Sequence, residues 1–287
     1  MEKTIVFLDV DGTLVHAAGN EYIPESAVEA VQTARRNGHL VYLCTGRSKA
    51  EIYPPIYEIG IDGVIGAAGG FIEVGDQEIF HRTIEPAAAK ELTAYLEEHG
   101  IDYYLECNEG LFASKKLIPH LQELMGGGGG HFIDALKKDG IPELLDINKI
   151  SFLETNGIKY QEIYDRFHED FYMVRCTVPI FGDESGEISV KGINKSTSIR
   201  YLLDYLKQQA EEVGEEVRFR TIGIGDGMND VEMLQTVDVG IAMGNAKQGL
   251  KDLADYVTTD ILEDGIHHAF EKYGLLSTIE ANENKEG

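Results

Sequence analysis

Three apolar segments of the chain end directly in clusters of polar residues. Residues 4–8 (TIVFL) are followed by DVDGT, residues 39–44 (HLVYLC) by TGR, and residues 218–223 (RFRTIG) lead into GDGMND at 225–230. Nearly continuous apolar runs of β-forming residues are typical of parallel strands that are buried on both faces of a sheet. Because open α/β sheets place their functional groups at the carboxyl ends of such strands, we expect the three clusters to share one edge of a sheet.

Helical segments connect these strands. Residues 24–37 place apolar side chains at helical spacing and are followed by Gly38, a common helix stop. A second helix is predicted over 196–213, and a further strand over 239–243. Strand, helix and strand joined by short connections form a βαβ unit, so the sequence predicts an α/β fold with a Rossmann-like parallel-sheet core.

The middle of the chain mixes helical segments with strands that tend to alternate in polarity, which indicates an inserted α+β domain. We therefore predict a core formed by residues 1–82 and 187–287 and an insert at 83–186. The insert contains five consecutive glycines at 126–130, for which a flexible linker is expected and a loop that approaches substrate is the alternative. The polar residues 280–287 are expected to fray.

Composition excludes several classes of protein. The 287 residues carry 25 Lys+Arg against 50 Asp+Glu, and the net charge of −25 opposes binding to nucleic acid or to an anionic membrane. Three scattered cysteines exclude a disulfide framework and a CxxC metal site. No apolar stretch approaches the roughly 20 residues of a membrane-spanning helix, and the amino terminus has no secretory pattern, so a cytoplasmic protein is expected.

Asp9 and Asp11 lie two residues apart where the first strand ends. In extended backbone their side chains would point the same way. Two carboxylates this close cannot both stay ionised in a dry site without a cation or a shared proton. Taken alone, the pair would equally fit an Asx turn or a helix N-cap.

Asp226 and Asp230 add two further carboxylates after a later strand. They are four residues apart and would share one face of a helix that started there. Capping of that helix by Asp226 or by Asn229 is the alternative interpretation. Together with Asp9 and Asp11, however, these acids offer a set of oxygen ligands for which Mg²⁺ is the default cation.

A phosphate group would also need positive or N–H partners. The sequence offers the hydroxyl of Thr45 at the end of the second strand and Lys195 at a predicted helix N-terminus, a position suited to anions. Lys191 competes with Lys195 for this role, and either lysine alone could be a solvated surface charge.

The four ordered segments DVDGT, TGR, Lys195 and GDGMND resemble the motifs of the haloacid dehalogenase-like (HAD) phosphohydrolase superfamily. Their order, their spacing and the long insert between the second and third motifs resemble its Cof-like branch, in which a large α/β cap domain lies at that place. The resemblance covers essentially the whole chain, although the insert matches a cap only in outline.

The resemblance implies roles for four of these residues. Asp9 would be the nucleophile that forms an aspartyl-phosphate. Asp11 would protonate the leaving alcohol and then activate the water that hydrolyses the intermediate. Thr45 and Lys195 would hold the transferring phosphoryl group.

The resemblance also implies a Mg²⁺ site. Asp226 would bind the cation together with Asp9 and the backbone carbonyl of Asp11. Asp230 would support this metal site through water or through the lysine, and Asn229 would help to position the phosphate.

The function implied is a Mg²⁺-dependent phosphatase that hydrolyses small phosphorylated metabolites, such as a sugar phosphate or a phosphorylated cofactor. The cap at 83–186 would select the leaving group. One alternative is a phosphomannomutase-like phosphomutase, which returns the phosphoryl group to the sugar. The other is a non-catalytic sensor of phosphorylated metabolites. The sequence does not indicate an oligomeric state.

Substrate-selecting residues are harder to predict. Relatives often carry Asn-Gly after the third strand, whereas this chain has GAAGG at 66–70, so a substrate contact by that Asn is not carried over. In the insert, Tyr103, Tyr104, Glu106 and Arg175 could equally be core, surface or ligand contacts.

Overall fold

The structure, a computed structural model, describes residues 2–16, 21–126, 130–138, 140–176 and 178–277. The chain forms two compact units, which we call the core unit and the inserted unit. The core unit comprises Met1–Gly46, Tyr53–Ile79 and Asn194–Gly287, and the inserted unit comprises Arg47–Ile52 and Phe80–Ile193. No helix within the described ranges is both long and apolar enough to cross a membrane.

The strands, numbered in chain order, are β1 (Glu2–Leu8), β2 (Leu40–Cys44), β3 (Gly63–Gly66), β4 (Phe71–Val74), β5 (Gln77–His81), β6 (Tyr103–Cys107), β7 (Gly110–Ala113), β8 (Leu136–Lys138), β9 (Ile147–Phe152), β10 (Phe171–Arg175), β11 (Gly186–Val190), β12 (Arg218–Gly225), β13 (Val239–Ala242) and β14 (Tyr256–Val257). The α-helices are α1 (Glu25–Arg36), α2 (Pro54–Glu58), α3 (Pro86–Glu98), α4 (Leu117–Leu124), α5 (Gly130–Ala135), α6 (Tyr160–Phe167), α7 (Lys195–Glu212), α8 (Val231–Leu234), α9 (Gln248–Lys251) and α10 (Gly265–Lys272).

The sheet of the core unit is largely parallel. Its strand order is β14-β13-β12-β1-β2-β3-β4-β5, with parallel pairing from β14 to β3 and antiparallel pairing between β3 and β4. The central strand β1 is fully enclosed, because Ile5, Val6, Phe7 and Leu8 are all 0% exposed. The predicted α/β fold with a parallel-sheet core is confirmed.

Helices α1 and α7 begin and end within one residue of the predicted positions 24–37 and 196–213. The start of α7 is set by Asn194, whose side chain accepts a hydrogen bond of 2.8 Å from the backbone N–H of Thr197. Because β12, β1 and β2 are parallel neighbours, the polar residues that follow them lie at one edge of the sheet, as expected.

The sheet of the inserted unit has the order β10-β11-β9-β6-β7-β8 and is antiparallel apart from the pairing of β7 with β8. One face packs against helices α3 and α6 through buried apolar residues that include Leu92, Leu96, Leu105, Ile150, Phe152, Ile163 and Phe167. The predicted boundaries 1–82, 83–186 and 187–287 stay a prediction.

Two expectations concern glycine-rich or terminal segments. Of the glycines at 126–130, residues 127–129 lie outside the described residues, and helix α5 begins at Gly130. The carboxyl-terminal residues 280–287 also lie outside them. The flexible linker at 126–130 and the frayed carboxyl terminus at 280–287 therefore stay predictions.

Candidate active site

The candidate site lies in the core unit, at the carboxyl ends of β1, β2 and β12. Asp9 directly follows β1 and its backbone N–H donates to the carbonyl of Ile224 on β12, at 3.0 Å. Thr45 directly follows β2, and Asp226 directly follows β12. The strand ends therefore fix the backbone of three predicted site residues in the rigid part of the sheet.

A tight turn after Asp9 brings the two acidic segments together. The N–H of Gly12 donates to the carbonyl of Val15 at 2.9 Å, and Gly12 has a φ of +81°. A Cβ atom on residue 12 would lie 2.3 Å from Oδ2 of Asp226. Only glycine both adopts this φ without strain and leaves room for the carboxylate.

Lys195 is buried among the acids. Its side chain is 3% exposed, and Nζ donates to Oδ1 of Asp9 at 2.7 Å and to Oδ1 of Asp230 at 2.5 Å. Lys191, the competing candidate, is exposed and donates to the backbone carbonyl of Glu169 in the inserted unit. The structure thus brings Lys195, and not Lys191, to the carboxylates.

Asp230 organises the segment around it. Its side chain is fully buried, and Oδ2 accepts hydrogen bonds from the N–H groups of Asp226 at 3.1 Å and Gly227 at 3.0 Å. Asp230 therefore caps the short helical turn Met228–Asp230, a task that the sequence suggested for Asp226 or Asn229. Its other oxygen stays available to Lys195.

The electrostatics of the cluster show an excess of negative charge. One carboxylate oxygen each of Asp9, Asp226 and Asp230 lies within 4.8 Å of the others. Burial, reinforced by Asp230, raises the pKa of Asp9 well above its ordinary value, although Lys195 opposes this. Burial and then Asp230 raise the pKa of Asp226 to about 6.

The charge of Lys195 does not balance these acids. Burial alone would lower the pKa of Lys195, but the carboxylates of Asp230 and Asp9 raise it above its ordinary value. Three carboxylates against one ammonium leave a net negative site built of oxygen donors. Such a donor set fits a hard divalent cation.

The remaining predicted residues occupy different positions. Asp11 is exposed, and its charge raises the pKa values of Asp9 and Asp226, so it lies beside the cluster. Thr45 is 1% exposed at the end of β2, and its carbonyl accepts from the N–H of Ala68 at 3.0 Å. Asn229 is exposed on the helical turn, and its role stays a prediction.

Sequence reasoning missed Asn245. Its Nδ2 donates to the carbonyl of Gly12 at 2.7 Å, and its Oδ1 accepts from the N–H of Ile261 at 3.0 Å. Asn245 thereby ties the turn after Asp9 to the loop that follows β14. The signal was present, because Asn245 lies just beyond the carboxyl end of the parallel strand β13, the pattern used for the other clusters.

The match to known proteins agrees with this geometry. The family model for haloacid dehalogenase-like hydrolases matches residues 6–270. The chain belongs to this family. A Bacillus subtilis (strain 168) protein named "Putative phosphatase YkrA" is 30% identical over 285 residues, which cover 96% of this chain and 100% of that protein.

Solved structures of haloacid dehalogenase-like proteins have the same fold. The phosphatase BT1666 from Bacteroides thetaiotaomicron has a TM-score of 0.76 at 21% identity, and the match covers 96% of each chain. The structure described as the HAD subclass IIB sugar phosphatase BT4131 has a TM-score of 0.74 at 24% identity, covering 95% of this chain and 100% of that one.

These matches confirm the predicted superfamily. They also confirm the prediction of an enzyme, at the level of a hydrolase from a family whose relatives include proteins named phosphatases. The carboxylate oxygens of Asp9, Asp226 and Asp230 lie close enough together to hold one metal ion.

Proposed function

We propose that this hydrolase is a Mg²⁺-dependent phosphatase that acts on small phosphorylated metabolites through an aspartyl-phosphate on Asp9. The observation that carries the proposal is the buried lysine Lys195, which contacts both Asp9 and Asp230. A carboxylate oxygen of Asp226 lies within 4.8 Å of oxygens of these two acids, so the three carboxylates could bind one cation. The names of the relatives and the sugar phosphatase of similar fold support this class of substrate.

The proposed chemistry uses two carboxylates, Asp9 and Asp11. Oδ1 of Asp9 accepts from Lys195, which leaves Oδ2 as the oxygen that attacks phosphorus. The ester P–O bond breaks, and Asp11 gives its proton to the leaving alcohol. Asp11 then takes a proton from water as that water attacks phosphorus. The bond between phosphorus and Asp9 breaks, which regenerates the carboxylate and releases inorganic phosphate.

Positive charge has to balance the phosphoryl oxygens during these steps. Asp9, Asp226, Asp230 and the backbone carbonyl of Asp11 are the residues that would hold Mg²⁺. When bound, Mg²⁺ supplies the charge that lets an anionic nucleophile approach an anionic ester. Lys195 adds a fixed ammonium group that the buried carboxylates keep protonated.

Three further residues complete the phosphate site in this proposal. Thr45 and Lys195 would hold the transferring phosphoryl group, and Asn229 would help to position it. Residues 83–186 would act as a cap that selects the leaving group and excludes bulk water. The net charge of −25 disfavours nucleic acid as a substrate.

The test is phosphate release from p-nitrophenyl phosphate and a panel of sugar phosphates and phosphorylated cofactors, with Mg²⁺ and with EDTA. We expect release that requires Mg²⁺. Interconversion of hexose 1- and 6-phosphates with little phosphate release would instead establish a phosphomutase. Tight binding of a panel member without turnover would establish a sensor, and either result would overturn the proposal.

A further inference from the structure

The loop Gly66–Gly70 contains backbone conformations that L-amino acids rarely adopt. Ala67 has a φ of 48°, and Ala68 has a φ of 54° and a ψ of 28°. Left-handed backbone brings the Cβ of an alanine close to the following carbonyl, so two consecutive alanines in this region are strained. Such strain persists only where the surrounding structure imposes it, and it concentrates at functional sites.

One side of the loop is bonded to the strand end that carries Thr45. The N–H of the strained residue Ala68 donates to the carbonyl of Thr45 at 3.0 Å, and the N–H of Thr45 donates to the carbonyl of Ile65 at 2.9 Å. The backbone of Thr45 is thus held on both sides by the segment that leads into the loop.

The other side of the loop is bonded to the first turn of α7. Ser198 is 1% exposed, and its Oγ donates to the carbonyl of Gly69 at 2.8 Å. The backbone of Gly69 packs so closely on this turn that a Cβ on residue 69 would lie 2.5 Å from the carbonyl oxygen of Asn194. Lys195 begins this turn, three residues before Ser198.

We propose that the loop Gly66–Gly70 is a strut that fixes Thr45 relative to Lys195, and that Ser198 is a positioning residue which acts through Gly69. The hydrogen bonds from Ser198 to Gly69 and from Ala68 to Thr45 form a continuous connection between the two groups expected to hold the phosphoryl group. This inference rests on the proposed function, because the separation of these groups matters only if both contact one substrate.

The closing experiment compares Ser198→Ala with Ser196→Ala. Both serines are buried in the first turn of α7, but Ser196 Oγ accepts a hydrogen bond from Thr236 Oγ1 at 2.7 Å, whereas Ser198 Oγ donates to Gly69 in the loop. We expect Ser198→Ala to lower kcat about tenfold or more with KM changed by less than about twofold, since small misplacements of catalytic groups are costly. Ser196→Ala should keep kcat.

Amide hydrogen exchange across residues 63–71 gives a readout that does not depend on turnover. We expect faster exchange in Ser198→Ala than in Ser196→Ala. If wild-type protein releases phosphate and the two variants match in kcat and in exchange, the strut is refuted while the phosphatase stands. If wild-type protein releases none, the phosphatase fails, and exchange alone decides on the strut.

A conservative variant separates the hydrogen bond from packing. Ser198→Cys nearly keeps the side-chain volume but donates weakly, so its kcat should fall between those of wild type and Ser198→Ala. It also provides the same contrast with Ser196→Ala if Ser198→Ala does not fold. A kcat for Ser198→Cys equal to that of wild type would contradict a positioning role for the hydroxyl.

Discussion

At the scale of single residues, the site depends on how closely Asp226 approaches the backbone of Gly12. Residue 12 must be glycine for two separate reasons. Its φ is positive, and a Cβ atom at this position would collide with the carboxylate of Asp226. A substitution at residue 12 therefore acts on backbone strain and on the placement of a carboxylate at the same time.

We expect Gly12→Ala to lower phosphate release at least a hundredfold, because Asp226 must move away from the cluster. The matched control is Gly214→Ala, since Gly214 has a φ of +77° but nothing within 4 Å of its would-be Cβ. Both variants should lose roughly 1–2 kcal/mol of stability from left-handed strain. Equal activity of the two variants, measured beside thermal unfolding, would contradict the account.

The raised pKa of Asp226 predicts a pH-dependent metal affinity. With a pKa of about 6, Asp226 in the folded, metal-free protein holds a proton that the unfolded chain has already lost above pH 4. The contribution of Asp226 to the stability of the metal-free fold therefore decreases as the pH rises from about 4 to about 6. A cation must displace the proton wherever the carboxyl is still protonated.

We expect Mg²⁺ to bind roughly tenfold more weakly near pH 5 than near pH 7.5, with proton release at the lower pH. Calorimetric titration in buffers of different ionisation enthalpy measures both quantities, and Asp226→Asn provides the control that lacks the contribution of Asp226 to this linkage. An affinity independent of pH, without proton release, would show that Asp226 does not bind the cation.

At the scale of secondary-structure elements, strands β6 and β9 carry a buried ion pair in the inserted unit. Glu106 and Lys149 are cross-strand partners, and Nζ of Lys149 lies 3.2 Å from Oε2 of Glu106. The side chain of Lys149 is 6% exposed and that of Glu106 is 0% exposed. Ser151 Oγ donates to the other carboxylate oxygen at 2.6 Å. Burial raises the pKa of Glu106 and Lys149 opposes it.

We expect Lys149→Met to destabilise the protein by about 3–5 kcal/mol, because it leaves a buried carboxylate unpaired. The double variant Glu106→Gln with Lys149→Met should lose markedly less stability than Lys149→Met alone. Urea denaturation of wild type, Glu106→Gln, Lys149→Met and the double variant measures this. A double variant as unstable as the sum of the two single changes would refute the coupling of β6 and β9.

Several elements could be predicted from the sequence because their signals are local. Helix α7 starts at a local cap, Asn194, and the buried strand β1 follows from its unbroken apolar run. Strands β4 and β5, at one side of the core sheet, were not predicted, since strands of four or five residues depend on pairing with neighbours more than on their own composition.

The burial of side chains in the insert also could not be predicted from local sequence. The sequence left Tyr103, Tyr104, Glu106 and Arg175 equally open as core, surface or ligand contacts. The two tyrosines and Glu106 are buried, at 5%, 5% and 0% exposed, and Arg175 is exposed with its guanidinium bonded to the carbonyl of Asp183. Burial of a charged residue depends on a partner from another strand, which local sequence does not specify.

At the scale of the whole molecule, the candidate site combines residues from distant parts of the chain. Asp9 and Lys195 are 186 residues apart in sequence and 2.7 Å apart in the structure. The rule for parallel strand ends predicts that Asp9 and Asp226 converge, and the family resemblance adds Lys195 to them. The hydrogen bonds of Asp230 and Asn245 depend on the path of individual loops, which the sequence pattern does not specify.

The central claim is that Asp9 carries the phosphoryl group during turnover, and chemical trapping tests it most directly. Wild-type protein is quenched during Mg²⁺-dependent turnover of a substrate from the panel and reduced with borohydride, which converts an acyl phosphate on aspartate to homoserine. We expect homoserine at position 9 in the peptide mass spectrum, and no such product when EDTA replaces Mg²⁺. Phosphate release without any modification of Asp9 would contradict the account.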